Sequence, residues 1–270
     1  MKRFLSRREF LVSSAVSVPL VSGIARAAQQ PGEVKMGAQS YSFRKFSFED
    51  SIKCLKELGL NVMEYCGVHF PCDATHEKFD YVKKTILESG IQVPSYGVEG
   101  FSGDEAANRK KFEFAKALGV GILTADPTPD AFDNLEKLCK EFQIKIAIHN
   151  HGPGARYDKV ADTLKAVEGR TPLIGACVDT GHAIRSGEKP HEVIRALGSR
   201  VICLHLKDWV HGGKEQILGE GDIDLLEVAK ALKAIHFSGP IVMEYEESPD
   251  NPVPDMKKGW ANWMKAWNNA

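Results

Sequence analysis

The chain has 270 residues, 43% of them hydrophobic and 26% charged, enough apolar material for a large buried core. Formal net charge is -1, and the first 27 residues hold five basic side chains against one acidic, so residues 28–270 carry a net of -5. That balance gives no electrostatic help to nucleic-acid binding, and no stretch after the amino terminus is long and apolar enough to cross a bilayer.

Taken in chain order, the first segment reads as an export signal. Met1 to Phe10 is basic, an apolar run follows to Ile24, and Ala25-Arg26-Ala27 places small residues where a signal peptidase cuts. Arg7-Arg8 before Phe10-Leu11 resembles a twin-arginine signal, so residues 1–27 are expected to direct export to the periplasm or beyond. Once they are removed, no membrane association is expected. Residues 28–34 read as a polar linker, and one domain is expected over 35–270.

From there apolar runs alternate with helical patterns. Met36 to Phe43 is the first predicted strand, and Phe48 to Gly59 a helix with Ile52, Leu55 and Leu58 at helical spacing. Strands are predicted over 61–65, 91–96, 121–125 and 144–149, with helices over 76–89, 104–118 and 130–142 between them. Asp158 to Val167 is predicted helical, with Val160, Leu164 and Val167 on one face. The sixth strand is 174–179, the seventh 201–206 and the eighth 241–245, separated by helices over 190–197 and 224–235. Asp224 and Glu227 have capping-box spacing. The last helix spaces Met256, Trp260, Trp263, Met264 and Trp267 as a core-packing stripe. Eight such units at about 25–30 residues each fit an α/β fold of the (β/α)8 barrel type, which typically takes ~250 residues. A doubly wound sheet would show a glycine-rich fingerprint after its first strand, and this chain has none.

Three successive strands end in chemistry. Leu173 to Thr180 runs apolar into Asp179, Val201 to Leu206 carries His205, and Pro240 to Glu246 runs into Glu244. The fifth strand ends in His149-Asn150-His151. The carboxyl ends of parallel barrel strands meet at one mouth, so these groups are expected to converge there. Carboxylates with imidazoles suit one divalent ion: Mn, Mg, Co, Fe or Zn. The six cysteines include no Cys-x-x-Cys, which argues against a thiolate zinc site and leaves pairing of Cys66 with Cys72 open.

Val178-Asp179-Thr180-Gly181-His182, Leu204-His205-Leu206-Lys207-Asp208, Leu218 to Ile223 and Val242-Met243-Glu244-Tyr245 together resemble the sugar phosphate isomerase/epimerase family with its xylose isomerase-like barrel. The resemblance covers about residue 35 to the carboxyl terminus. It implies a metal held by Asp179, His205 and Glu244, with His149 standing where the family usually has a strand-five Glu. It further implies proton abstraction beside a carbonyl through an enediolate, with Glu244 and His149 as the proton-moving groups. His182, His151, Lys207, Arg185, Glu64 and His69 are the side chains expected to meet a sugar or glycoside. Lys207 could instead pair with Asp208 or Glu244. The leading expectation is a sugar isomerase or epimerase. A lyase that expels a β-substituent from the same enediolate is the alternative, and a non-catalytic sugar-binding protein is the reading of another class. A homo-oligomer is left open.

Overall fold

In the computed structural model, which describes residues 34–270, the apolar runs are buried strands covered by helices. They are β1 (Met36–Gln39), β2 (Met63–Glu64), β3 (Ser95–Phe101), β4 (Ile122–Pro127), β5 (Lys145–His149), β6 (Ile174–Asp179) and β7 (Val201–Leu206). A small antiparallel hairpin of β8 (Asp208–Trp209) and β9 (Glu215–Gln216) precedes β10 (Ile241–Met243). Eight strands pair in the order β2-β1-β10-β7-β6-β5-β4-β3, every pair parallel. Two isolated bridges, Val62 with Gln92 and Tyr65 with Tyr96, join β2 to the β3 side. The circle is therefore a nearly closed (β/α)8 barrel. The expected export signal and the expected linker, apart from Val34, lie outside the described residues. Val34 itself packs against the core.

The helices are α1 (Phe48–Glu57), α2 (Phe79–Ser89), α3 (Glu105–Leu118), α4 (Phe132–Phe142), α5 (Val160–Val167), α6 (Thr180–Arg185), α7 (Pro190–Leu197), α8 (Leu225–Ala234) and α9 (Val253–Asn269). Their starts follow local chemistry. The Ser47 side chain accepts from Asp50 N–H, and Asp104 accepts from the N–H groups of Ala106 and Ala107. Gly119 ends α3 at φ 86°, a left-handed turn that a side chain would strain. Among the described residues no helix is long and apolar enough to cross a membrane.

Several expected boundaries move. β3 starts at Ser95 rather than residue 91, because Pro94 has no N–H to give the ladder, and its register with β4 shifts between Tyr96 and Glu99. The first strand stops at Gln39, whose side chain accepts from Tyr41 N–H and turns 40–43 into a 3-10 helix. The capping box at Asp224 is half made. Asp224 accepts from Glu227 N–H, but the Glu227 carboxylate reaches Arg195 and Lys230 instead. Leu164 and Met264 point outward, at 37% and 38% exposure, so the two predicted stripes are narrower than their spacing suggested. All six cysteines are free thiols.

The main core lies between strands and helices. Leu123, Ile146, Ile148, Val178, Leu204 and Met243 face it from the sheet, and Trp260 and Trp263 from α9. A second cluster contains Ala147, Cys177 and Cys203, each two residues before His149, Asp179 or His205. Strand periodicity puts each pair on the same face, so small apolar side chains floor the mouth where the polar ones gather.

Candidate active site

The strand ladders set the site. Register pairs Asp179 with His205 and His149 with Cys177, and β10 aligns Val242 with His205, so the next strand-end side chain is Glu244. His149, Asp179, His205 and Glu244 each offer one ligand atom, all within 4.8 Å of one another. His149 Nε2 lies 3.2 Å from His205 Nδ1 and 3.6 Å from Asp179 Oδ2, and Glu244 Oε2 lies 3.2 Å from His205 Nδ1. Ligand atoms bound at ~2.1 Å in a tetrahedron stand about 3.4 Å apart, so these separations suit one ion. Asp179 Oδ2 is buried with no hydrogen-bond partner, which is costly unless a cation accepts it.

Each donor is aimed by the groups behind it. The other Asp179 oxygen accepts His182 N–H at 2.7 Å and caps α6, a helix not expected from the sequence. His205 Nε2 donates to Glu64 Oε1 at 3.0 Å, which turns Nδ1 toward the cluster. Glu64 is wholly buried beneath it, and also accepts from Gln39, Ser95 and Thr124. Burial would raise the Glu64 carboxyl, but the His205 charge and these hydrogen bonds bring it below its ordinary value. Burial likewise pushes His205 down, yet Glu64 and Glu244 lift it well above the usual imidazole range. The proton thus held at Nδ1 occupies the direction a metal would take.

Asp179 and Glu244 are ionised at neutral pH. Burial opposes this in both. His182, Lys207 and His149 bring Asp179 well below the usual range, and Lys207 and His205 bring Glu244 to about 2. Lys207 is 1% exposed, and a Cβ on Gly181 would lie 2.5 Å from its Cγ, so that glycine makes room for its stem. Its ammonium reaches the Glu246 carboxylate closely and Glu244 Oε2 at 3.7 Å. Asp208 is not its partner. That carboxylate instead accepts backbone N–H groups of Trp209, Gly219, Gly221 and Ile223 and fixes the loop after β9.

A cavity of about 500 Å³ opens above the cluster, lined by Gln39, Tyr41, Cys66 to Val68, Gly97 to Glu99, His149, His151, His182, Glu244 and Glu246. Of the side chains expected to meet a sugar, His151 and His182 line it. Arg185 holds His182 from behind. An arginine can only donate, so His182 Nδ1 accepts its N–H at 2.9 Å and a neutral ring carries its proton on Nε2. Burial keeps the ring neutral, moving His182 down to about 3 and, with the His149 charge, His151 to about 4. The Arg185 guanidinium also stacks over Trp209 at 4.8 Å. Lys207 and Glu64 support ligands from below instead of facing the cavity. His69 packs edge-on to Tyr65 at 5.6 Å, outside the lining. Glu246, Glu99, Gln39 and Tyr41 were not among the expected site residues. Glu246 had a visible signal, since it follows Glu244 by two residues and so repeats its face.

An oxygen and imidazole cluster at the carboxyl mouth of a parallel barrel defines a class. Residues 52–267 match the model of the family described as xylose isomerase-like TIM barrel, and the chain belongs to that family. The inosose dehydratase of Clostridium botulinum is 28% identical over 148 residues, 47% of this chain and 49% of that protein. The 3-oxo-isoapionate decarboxylase of Pectobacterium atrosepticum is 27% identical over 175 residues, 60% of this chain and 61% of that protein. The chain spans about half the length of the curated relatives it matches first. The structure of IolI protein with a bound zinc atom superposes with TM-score 0.71 at 15% identity, covering 87% of this chain and 99% of that one, and shows the shared fold.

Proposed function

We propose that the protein is a divalent-metal-dependent, sugar-modifying enzyme that removes a proton beside the carbonyl of a keto-sugar or related polyol. The observation that carries this is the convergence of His149, Asp179, His205 and Glu244 within 4.8 Å of one another at a cavity. An ion held by these four would supply a Lewis acid for charge developing on a substrate carbonyl oxygen. The zinc in IolI protein supports this reading of the donor set.

The chain's own groups would do the rest. His182 Nε2–H and neutral His151 are placed to hydrogen-bond substrate oxygens. Glu244 is ionised and can accept the proton from the adjacent carbon, leaving an enediolate. His149, in place of a second carboxylate, serves as a ligand through Nε2 or, when off the ion, carries the second proton on that nitrogen. Returning the proton to another carbon or face gives isomerisation or epimerisation. Breaking a β C–O bond, with a proton delivered to the leaving oxygen, gives elimination. The names of the curated relatives, a dehydratase and a decarboxylase, favour the lyase branch over the isomerase expected first.

The test is proton exchange. Metal-loaded protein is incubated in deuterium oxide with keto-sugars, inososes and 3-keto-glycosides, and products are read by NMR. Deuterium should enter beside the carbonyl and stop on chelation. An unsaturated product assigns elimination, and inverted stereochemistry assigns epimerisation. Sugar binding without exchange would leave a binding protein and overturn the proposal. We also propose export of this enzyme through residues 1–27. Replacing Arg7 and Arg8 by Lys should retain precursor in the cytoplasm, and unchanged export would refute the twin-arginine route.

A further inference from the structure

The cavity lining contains three carboxylates, Glu99, Glu244 and Glu246, and no Lys or Arg among the described residues. The nearby cations are turned away. Lys207 is buried below, Arg185 is spent on His182 and Trp209, Lys111 is paired with Glu99, and Arg44 donates to the carbonyls of Tyr41 and Glu246 from outside the lining. Glu244 belongs to the ligand cluster, and Glu99 and Glu246 each have one oxygen in an ion pair, with Lys111 and Lys207. Of the two, Glu246 shares its lysine with Glu244 and so lies beside the cluster.

Glu246 is held on three sides. Its N–H donates to Glu215 Oε1 at 3.0 Å, its carbonyl accepts from the Arg44 guanidinium, and its Oε1 accepts from Lys207. Glu215 is a buried carboxyl at 3% exposure on the β8–β9 hairpin. The remaining Glu246 oxygen, Oε2, has no hydrogen-bond partner among the described residues, and the side chain is 37% exposed. A carboxylate whose backbone and one oxygen are pinned, while the other stays free beside a cavity, is a preorganised acceptor. It lies two residues beyond Glu244, and both side chains line the cavity.

We propose that Glu246 is the specificity-determining residue of this cavity. It accepts a hydrogen bond from a hydroxyl remote from the reacting carbonyl, and so selects uncharged polyhydroxy substrates, cyclitol-like ketones or glycosides, over carboxylate or phosphate-bearing sugars. The assignment rests on reading the cavity as a sugar site. A hydroxyl donates to Oε2, whereas an anion there would meet a like charge in a lining that holds no Lys or Arg among the described residues. Hydrogen bonds to charged groups contribute enough for roughly a 10-fold or larger effect on affinity.

The experiment is binding, independent of turnover. Metal-loaded wild type and Glu246→Gln are titrated calorimetrically with myo-inositol, a neutral cyclitol, and with gluconate, an aldonate of similar size. Glutamine keeps the backbone contacts to Glu215 and Arg44 and an oxygen for Lys207. Wild type should bind the cyclitol about 10-fold more tightly than the aldonate, and the variant should lose most of that ratio with unchanged metal content and melting temperature. A purely structural role for Glu246 would weaken both ligands together and leave the ratio intact. Equal or tighter gluconate binding by wild type, no cyclitol binding, or an unchanged ratio in the variant would each overturn the assignment. Failure of proton exchange across the carbonyl panel, with the binding ratio as expected, would instead remove the enzymatic reading alone.

Discussion

The two halves of the barrel divide the work at the mouth. β5, β6, β7 and β10 lead into the four candidate ligands, and each ligand position is set by parallel pairing, with β6 and β7 in register from Cys177 and Cys203 to Asp179 and His205 after one shift at Ala176. β1, β2, β3 and β4 contribute no ligand. Their polar side chains Gln39, Glu64, Ser95 and Thr124 form a buried hydrogen-bonded layer that ends on His205. The ladder there is weaker, with β2 two residues long and only isolated bridges toward β3. One half therefore places charge by backbone register, and the other orients it by side-chain hydrogen bonds.

The largest expected effect strikes the ligand half. Glu244→Gln keeps size and one oxygen but cannot accept a proton, so activity at full metal occupancy should fall by 10²–10⁴-fold if Glu244 moves the proton. Metal analysis alongside the rate separates this from loss of the ion. His149→Gln is the companion. Persistent loss in both variants supports two proton carriers, and loss only in Glu244→Gln points to a single base. Full activity of the saturated Glu244 variant would move the base to His151 or His182.

An intermediate effect is expected from the supporting half. Glu64→Gln preserves the shape of the buried layer but removes the charge that orients His205. Metal affinity should drop by about 10–100-fold, as for other carboxylates that hold a ligating imidazole. A competition titration with a metal-binding dye measures it. Unchanged affinity would show that the ladder alone positions His205, and the division between the halves would collapse.

The smallest effect concerns the hairpin beside the ligand half. Burial raises the Glu215 carboxyl to about 8 against the pull of Lys207, so the folded protein keeps a proton there that the unfolded chain has lost. The folded state binds more protons between the unfolded value near 4.5 and about 8, so that contribution to stability is present at low pH and lost as pH rises through the window. Glu215→Gln should flatten the fall in melting temperature between pH 6 and pH 9. An identical slope in both proteins would refute the neutral carboxyl.

The same division governed what could be read in advance. In the ligand half the sixth and seventh strands are legible to the residue, because runs such as Ile174 to Val178 are apolar throughout and end in one polar group, Asp179. In the supporting half Glu64 looked like a substrate contact. Nothing local to residues 61–65 shows that Gln39, Ser95 and Thr124 will close over it from three other strands. The β3 start was missed because Pro94 removes a ladder donor inside an otherwise apolar run.

Alternation, length and strand-end chemistry by themselves determined the barrel, the mouth and the four converging donors, because period and parallel pairing are local rules repeated eight times. Only the tertiary structure decided which polar groups face the cavity. Lys207 was drawn under Glu244 and Glu246, Arg185 was turned onto His182, and Glu246 was left with a free oxygen. Those outcomes depend on side chains brought together from strands and loops far apart in sequence. Burial then decides, since a buried charge settles where its partners are, and no spacing rule along one segment encodes the partners on another.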